Sequence, residues 1–426
     1  MRASPVFPLC LLCTRFSCAE HRYQARKTNH ASTLELPYDA YFNEHARSRE
    51  GKCELGAWVR HPIPRDSYVA RDALAGQLEV DREQRQREQP GKKENFTEAT
   101  LYRWRPSDPG CMWAHADLKS TCRLVKSLDI GRIFFVGDSL SYLQFMSFVF
   151  LLGLDHGSGK APGSERTTDG RQSVSISVPC DSKTKKPTFE LHFVRNHYLL
   201  GASNTKCYAP HAKGCLSDLG AECNRNSCMP WVPLLNKGPR TLLVLNTGAH
   251  SHSTALFDAS IYGAIKATAK LTRSRRDIVV FRTTPAGHPN CSQYSAPFAT
   301  LTEAQSRMHL GVDNDVTQKF SWHLFANFTR SLKAKVAELA PEFQMNDLKR
   351  SGCVMVLDVD PMTALRGDGH RPQLGDCLHY YLPAGPVDTW NHLLISVLLQ
   401  KQASEIARSI EGLSNELKAI GDHADQ

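Results

Sequence analysis

The stretch Arg132-Ile-Phe-Phe-Val-Gly-Asp-Ser-Leu140 (RIFFVGDSL) decides the fold of this chain. Its first part, Arg132 to Val136, is a short apolar run between two glycines, which is typical of a strand buried on both faces of a parallel sheet. The long apolar run from Leu140 to Leu152 predicts a helix. A buried strand, a Gly-Asp-Ser turn and a helix form the repeating unit of an α/β fold.

Ser139 lies in this turn, at the carboxyl edge of the predicted sheet, where open α/β folds build their sites. Backbone N–H groups at the start of the next helix could stabilise a developing oxyanion. Ser139 is therefore the candidate nucleophile, and the alternative is a serine that caps the helix. Gly137 and Asp138 are candidate oxyanion or substrate residues, although for Asp138 we favour a structural role as an acceptor beneath the turn.

A second stretch, Asp376-Cys-Leu-His379, supplies what a serine hydroxyl lacks, because a nucleophilic serine needs a base. His379 is the candidate general base, and Asp376 is the candidate residue that orients its imidazole. The alternative for Asp376 is an Asx-turn. Cys377 lies between them, and a disulfide at this cysteine would hold the segment that carries the pair.

The order Ser…Asp-x-x-His differs from that of chymotrypsin and subtilisin and resembles that of the GDSL-type (SGNH) hydrolases. Asn246, in Asn246-Thr247-Gly248, ends another predicted buried strand. By resemblance to the third conserved block of these hydrolases, its side-chain amide is a candidate oxyanion donor. The alternative is an asparagine that forms a turn before glycine.

The C-terminal stretch DCLHYYLPAGPVDTWNHLL (Asp376 to Leu394) resembles the signature of the plant trichome-birefringence-like proteins, roughly DCSHWCLPGxPDTWNxLL. Further stretches resemble other blocks of that family in the same order, so that the similarity covers roughly residues 50 to 400. They are CELGAWV (Cys53 to Val59), LYRWRPSDPGC (Leu101 to Cys111), FFVGDSL, LLVLNTGAH (Leu242 to His250), VVFRTTPAGH (Val279 to His288) and MVLDVDPMTALRGDGH (Met355 to His370).

This resemblance implies a polysaccharide O-acetyltransferase of the secretory pathway, with a polysaccharide acceptor and an acetyl donor as partners. A carbohydrate acetylesterase with the same triad, or a non-catalytic glycan-binding protein, is the alternative. Tyr142 departs from the family pattern, because many relatives have an arginine at this position after the Gly-Asp-Ser turn. The segment Arg195-Asn196-His197 resembles an RNDH segment of more distant relatives. Asp388 is expected to cap a helix, and Trp390 and Asn391 to fix their loop against the main domain.

The composition of the 426 residues, 41% hydrophobic and 22% charged, is that of a globular protein. The net charge of +9 is spread along the chain, so it is compatible with acidic glycans or with an ordinary basic surface. No RNA-binding signature or concentrated basic arm occurs, and nucleic acid is not an expected partner. No P-loop, Rossmann fingerprint or metal motif occurs, so we expect no cofactor other than the acetyl donor.

Residues 1–19 resemble a short secretory leader, with an apolar centre well below the ~18 residues that span a bilayer. No transmembrane anchor is evident, and the lumen of the Golgi or secretion is the expected location. The 14 cysteines indicate an oxidising compartment. Three glycosylation acceptors, at Asn95, Asn290 and Asn327, agree with it.

We predict an SGNH/GDSL-like three-layer α/β sandwich with a mostly parallel sheet at 126–420, and a small cysteine-containing subdomain at 50–125. Trp104 and Trp113 are expected to pack this subdomain, with sugar stacking as the alternative. The predicted strands are Leu191 to Arg195, Thr241 to Asn246, Asp277 to Arg282 and Val354 to Val359. The predicted helices are Ala255 to Lys270, Thr317 to Leu339 and Asp388 to Leu417. The loop Gly153 to Gln172 is polar, Leu78 to Asn95 is a charged insertion, and Cys207 to Trp231 is a loop stapled by disulfides rather than a zinc site.

Overall fold

The computed structural model describes residues 52–60, 101–154, 173–181, 186–199, 231–236, 238–285, 287–309, 321–342, 346–348, 352–371, 376–382 and 385–424. The predicted leader, the charged insertion, the Asn95 acceptor and almost all of the two loops at 153–172 and 207–231 lie outside these residues.

Strands and helices alternate along most of the described chain. The strands are β1 (Gly56–Arg60), β2 (Tyr102–Pro106), β3 (Arg132–Gly137), β4 (Ser173–Val178), β5 (Phe189–Arg195), β6 (Thr241–Leu245), β7 (Ile278–Arg282), β8 (Asn346–Asp347), β9 (Gly352–Leu357), β10 (His370–Arg371) and β11 (Asp376–Tyr380). The α-helices are α1 (Leu118–Ser127), α2 (Ser139–Leu151), α3 (Val232–Asn236), α4 (Thr254–Arg275), α5 (Leu301–His309), α6 (Phe325–Glu342), α7 (Asp360–Ala364) and α8 (Pro386–Ala424).

The described residues form a seven-stranded sheet of order β4-β5-β3-β6-β7-β9-β8. The five inner strands run parallel, whereas β4 and β8 are antiparallel edge strands. All residues of β3, β6 and β7 are buried, which explains why these strands are apolar throughout rather than alternating. The predicted α/β fold with a mostly parallel sheet is confirmed.

The helices cover the sheet in two groups. α2 packs on β3 and β5 and against α8, which also contacts α1, whereas α4 packs against α6 near β7 and β9. Because the chain moves from β3 first towards β5 and later towards β7 and β9, right-handed crossovers place the two groups on opposite faces. The layers are therefore helix, sheet and helix. Within the described part of the chain, no helix is both long and apolar enough to cross a membrane.

Two local predictions need correction, and one strand was missed. The helix predicted from Thr317 is not continuous through Ser321, whose left-handed backbone (φ 53°) breaks it, and α6 starts at Phe325. Asp388 does not cap α8, because Pro386 already starts this helix; its carboxylate accepts a hydrogen bond from Ser147 Oγ (2.5 Å) instead. The edge strand β4 was not predicted.

The N-terminal segments pack through their tryptophans, as expected. β1 pairs with β2, and a disulfide joins Cys53 to Cys111. Trp104 is buried and donates to the Cys53 carbonyl (2.9 Å), and the Trp113 ring lies edge-on to that of His392 in α8 (6.2 Å). Trp58 donates to the Met362 carbonyl (2.8 Å), so β1 is attached to the segment that follows β9. The domain boundary itself stays a prediction.

Candidate active site

In the turn after β3, the residue that caps helix α2 is Asp138, so the Ser139 hydroxyl is not used as the helix cap. Asp138 caps α2, and its Oδ1 accepts a hydrogen bond from the Leu140 N–H (2.9 Å). Ser139 is the first residue of the helix rather than its cap. The structural role expected for Asp138 is confirmed, and the capping role that was the alternative for Ser139 is taken by its neighbour.

Gly137 permits the close approach of two strands at this turn. A Cβ atom at this position would lie 2.3 Å from Ser141 Oγ and 2.6 Å from the Asn246 carbonyl oxygen. The Gly137 carbonyl accepts from the Asn196 N–H (2.8 Å), which ties the turn to the end of β5. The segment that begins with Arg195 thus lies directly beside the candidate nucleophile, since Arg195 is the register partner of Gly137.

The structure brings Ser139, His379 and Asp376 together in one hydrogen-bonded line. His379 Nε2 lies 2.6 Å from Ser139 Oγ, and His379 Nδ1 lies 2.7 Å from Asp376 Oδ2. The other carboxylate oxygen of Asp376 accepts from the backbone N–H groups of His379 (3.0 Å) and Leu378 (3.1 Å). The carboxylate therefore forms an Asx-type turn with one oxygen and orients the imidazole with the other.

The electrostatics of Asp376 suit this orienting position. Burial by itself raises the pKa of Asp376, but the hydrogen bonds and the charge interaction with His379, together with the two backbone N–H donors, outweigh it. The pKa of Asp376 therefore lies well below its usual range. An ionised carboxylate accepts the Nδ1–H proton, which leaves Nε2 as the acceptor that faces the serine hydroxyl.

The strand that carries the pair, β11, is held by covalent and hydrogen bonds. Cys377 forms a disulfide with Cys291, as anticipated for this cysteine. The backbone N–H of His288 donates to the Cys377 carbonyl (2.9 Å), and β10 pairs with β11. The position of His379 is thus fixed by neighbours on both sides of the strand.

Asn246 lies at the same sheet edge, but its amide is engaged elsewhere. Its Nδ2 donates to Thr284 Oγ1 (2.7 Å) and to the Arg282 carbonyl (3.1 Å). The side chain is buried and connects the ends of β6 and β7. A role as oxyanion donor would require the amide to give up one of these two bonds.

A buried arginine that sequence reasoning did not single out lies beneath the turn. The guanidinium of Arg282 is fully buried and lies over the Trp390 ring, 4.6 Å from its centroid. Burial lowers the pKa of Arg282 to about 10, while the nearby carboxylates of Asp138 and Asp360 act in the opposite direction. The sequence signal that could have identified Arg282 is its place at the end of an otherwise apolar strand, because a charged side chain in a buried strand needs polar or charged partners.

The first turns of helix α8 contact the elements that carry the site through Trp390 and Asn391, as expected for these two residues. Trp390 donates to Thr363 Oγ1 (2.8 Å), and Asn391 Nδ2 donates to the Gln144 carbonyl and to Ser147 Oγ, both at 3.0 Å. The Asn391 bonds tie α8 to α2, the helix that begins at Ser139, and the Trp390 bond ties α8 to α7. The prediction that Trp390 and Asn391 fix this segment is confirmed.

Two further imidazoles, those of His197 and His250, meet edge to face with their centroids 4.4 Å apart. Burial lowers the pKa of His197 to about 4, assisted by His250, whereas Asp138 acts in the opposite direction. Burial also lowers the pKa of His250. Both rings are therefore neutral near pH 7 and can donate or accept a hydrogen bond beside the turn.

Tyr142, which stands where many relatives have arginine, lies among aromatic rings. Its centroid is 5.1 Å from that of Phe193. Burial raises the pKa of Tyr142, and the charge of Arg195 acts in the opposite direction. Burial also lowers the pKa of Arg195, against the charges of Asp138 and Tyr142. The side chains of Tyr142 and Arg195 therefore interact electrostatically at the end of β5.

The chain is similar to known proteins over much of its length. Residues 246–397 match the family described as "PC-Esterase: GDSL/SGNH-like Acyl-Esterase family found in Pmr5 and Cas1p". The chain is 23% identical over 325 residues to "Protein trichome berefringence-like 7" of Arabidopsis thaliana, and the alignment covers 73% of this chain and 66% of the relative. The matched segment includes Asp376 and His379, and the relative is of the family that the sequence motifs resemble. Residues 246–397 are therefore similar to the GDSL/SGNH-like PC-esterase family, and the Arabidopsis relative supports the resemblance that the sequence motifs carry.

Proposed function

We propose that the protein is an O-acetyltransferase that moves an acetyl group to a polysaccharide hydroxyl through an acetyl-Ser139 intermediate. The observation that carries the proposal is the continuous hydrogen-bonded line from Asp376 through His379 to Ser139, with N–O distances of 2.7 and 2.6 Å. This arrangement has the geometry by which a serine is activated as a nucleophile.

In the first half-reaction, His379 Nε2 takes the hydroxyl proton of Ser139 while Oγ attacks the carbonyl carbon of an acetyl ester. The tetrahedral intermediate collapses, the donor alkoxide leaves with the proton from His379, and the acetyl group stays on Oγ. Asp376 stabilises the imidazolium that forms between the two proton transfers and does not itself take a proton.

The oxyanion of this intermediate needs donors at the start of α2. The backbone N–H of Leu140 is bound to Asp138, so the Ser139 N–H is the backbone donor that we assign. The helix N-terminus adds a favourable electrostatic potential. The buried guanidinium of Arg282 adds positive charge beneath the turn.

In the second half-reaction, His379 takes a proton from the acceptor hydroxyl, whose oxygen attacks the acetyl carbon. The tetrahedral intermediate then collapses, and Ser139 Oγ leaves with the proton from His379, which regenerates the enzyme. With a sugar hydroxyl as acceptor the product is an O-acetylated glycan. With water as acceptor the same residues form an acetylesterase. The description of the matched family as acyl-esterases is the observation that favours this second candidate.

We also propose a polysaccharide as acceptor and the secretory pathway as location. The three disulfides among the described residues, Cys53–Cys111, Cys122–Cys180 and Cys291–Cys377, support an oxidising compartment. The acetyl donor is proposed as an acetyl ester or other activated acetyl compound.

The experiment that tests the function measures where the acetyl group goes. Purified protein is incubated with an aryl acetyl ester and increasing concentrations of xylan, mannan or pectin oligosaccharides, and acetylated sugar and free acetate are quantified. Transfer to sugar that rises with acceptor concentration and disappears in Ser139→Ala supports the transferase. Ser139-dependent acetate alone supports the esterase, and no Ser139-dependent product contradicts both.

A further inference from the structure

Two histidines far apart in sequence meet behind β11. His288 ends the stretch VVFRTTPAGH, and His370 ends the stretch MVLDVDPMTALRGDGH. Their side chains are fully buried, and His288 Nδ1 lies 2.6 Å from His370 Nε2. Neither residue contacts Ser139, and neither takes part in the proposed proton transfers.

The outer nitrogens of both rings face backbone carbonyls. His288 Nε2 lies 2.8 Å from the Ala364 oxygen, and His370 Nδ1 lies 3.0 Å from the His379 oxygen. A carbonyl oxygen only accepts hydrogen bonds, so each outer nitrogen must carry a hydrogen to be satisfied. A neutral imidazole has one N–H, and two neutral rings would then direct two lone pairs at each other across 2.6 Å.

We propose that His288 and His370 share one extra proton in a buried N–H–N hydrogen bond, and that this pair positions His379. We call the two residues the histidine dyad. One proton between the inner nitrogens converts the lone-pair contact into a charge-assisted hydrogen bond and satisfies all four ring nitrogens. The positioning role rests on the proposed function, whereas the shared proton does not.

The dyad must hold its proton against burial. Burial lowers the pKa of His288 to about 4 and that of His370 well below the usual value, because an imidazolium loses its hydration. The short N–H–N bond and the two carbonyl acceptors oppose this loss. If the shared proton were lost, one ring nitrogen would be left without a hydrogen-bond donor opposite it and would face a lone pair of a carbonyl oxygen or of the other ring. This would cost the free energy typical of an unsatisfied buried polar group.

Charged neighbours face the dyad from two elements. Asp368 favours the charged form of His288, and Arg366 opposes it, but these two residues form a buried ion pair with each other (2.8 Å) and largely cancel. On β11, Asp376 favours the charged form of His370, and His379 opposes it. The aromatic ring of Tyr380 lies against His370, with centroids 4.2 Å apart.

The dyad contacts the backbone of β11 at two points. His370 donates to the His379 carbonyl, and the backbone N–H of His288 donates to the Cys377 carbonyl (2.9 Å). These bonds fix the carbonyls on either side of Leu378. The orientation of the general base therefore depends on both histidines, which are positioning residues and not catalytic ones.

The test of the shared proton is NMR of the protein with 15N-labelled histidine. We expect a far-downfield exchangeable proton that couples to nitrogens of two imidazoles. It should disappear in His288→Asn, because the Asn amide can donate to His370 Nε2 without an extra proton. It should persist in His379→Ala, which removes the separate His379–Asp376 signal, and in His323→Asn, a matched change at an exposed histidine.

The test of positioning is the rate at which Ser139 is acetylated. We expect His370→Asn, whose amide can still reach the His379 carbonyl, to retain most of the rate. His370→Phe, which keeps a ring but has no donor, should lower kcat by about tenfold to hundredfold with little change in KM. Equal rates for the two variants would overturn the positioning role.

The two parts of the proposal fail separately. Absence of the downfield signal in the wild type, or its survival in His288→Asn, overturns the shared proton even if Ser139 is acetylated normally. If Ser139 is never acetylated but the signal is present and lost in His288→Asn, the shared proton is supported and the positioning role is rejected together with the proposed function.

Discussion

His379 Nε2 lies 2.6 Å from Ser139 Oγ, although 240 positions separate the two residues in the chain. Ser139 is the first residue of α2 and directly follows β3, an inner strand of the sheet. His379 comes from β11, which is outside that sheet and is held by a disulfide and by hydrogen bonds to neighbouring segments. The site therefore depends on contacts that fix β11 against the sheet, and several predictions test these contacts.

Replacing Asp376 with Asn tests the orienting role of its carboxylate. The Asn carbonyl oxygen can still accept from the backbone N–H groups of Leu378 and His379, so the turn should persist. The amide cannot stabilise the imidazolium, and the His379 tautomer would change. By analogy with other triads, we expect kcat to fall by about 10⁴-fold. The far-UV circular dichroism spectrum, which reports secondary structure, should not change. A fall of less than tenfold would contradict an orienting role.

Removing the Cys291–Cys377 disulfide tests how β11 is held. We expect the double variant Cys291→Ser/Cys377→Ser to lose activity by at least about tenfold, because His379 would no longer be fixed against Ser139. The matched control is Cys122→Ser/Cys180→Ser, whose disulfide joins α1 to the segment after β4, away from the site.

The two disulfides close loops of comparable sequence separation, 86 and 58. Both double variants should therefore lose a similar free energy of unfolding, on the order of 4 kcal/mol. Denaturant unfolding and initial rates measured on both variants separate the two effects. An equal loss of activity in the control would mean that general destabilisation, and not the position of β11, explains the result.

Gly137→Ala tests the close approach at the turn. A Cβ at this position would meet Ser141 Oγ at 2.3 Å and the Asn246 carbonyl at 2.6 Å, and the backbone oxygen cannot move without shifting β6. We expect a loss of about 3 kcal/mol or more in unfolding free energy, together with loss of activity. Gly110→Ala is the control, since Gly110 is exposed and its nearest neighbour is a side-chain atom, Oδ1 of the half-buried Asp108, at 3.2 Å. Wild-type stability of Gly137→Ala would refute the packing described here.

The stability of the N-terminal segment should depend on the protonation of Glu54. Burial, with smaller contributions from Asp358 and Asp108, raises the pKa of Glu54 to about 8. The folded protein therefore favours the neutral acid. Its contribution to stability is fully present below the unfolded pKa of about 4.3 and is lost as pH rises through about 8.

Glu54→Gln removes this titration. Between pH 5 and pH 8.5, we expect the variant to gain on the order of 2 kcal/mol of unfolding free energy relative to wild type, after discounting for partial exposure. Glu338→Gln, at an exposed position of α6, is the control and should show no such gain. A pH-independent difference between Glu54→Gln and wild type would show that Glu54 is ionised in the fold.

The sequence predicted the features that depend on local pattern. β3, β6 and β7 are continuous apolar runs, and burial on both faces of a parallel sheet requires that pattern. Ser139, Asp376 and His379 were identified because their chemistry and order form a recognisable set, and the structure brings them together.

Features that depend on distant contacts were not predicted. The strand β4 (SVSISV) is an antiparallel edge strand that alternates serine with apolar residues. It therefore lacks the continuous apolar run by which the buried strands were predicted. Asp388 has the residue type of a helix cap, but Pro386 starts the helix before it. Nothing in the sequence shows that His288 and His370 meet, since each ends a separate block.

The central claim is that Ser139 carries the acetyl group, and intact-mass spectrometry tests it most directly. Wild type and Ser139→Ala are incubated with an activated acetyl ester, quenched in acid and weighed, and the modified peptide is identified. We predict one added acetyl group on wild type, located at Ser139, and none on Ser139→Ala. Absence of any acetyl group at Ser139 with several donors, or equal labelling of both proteins, would contradict the proposed mechanism.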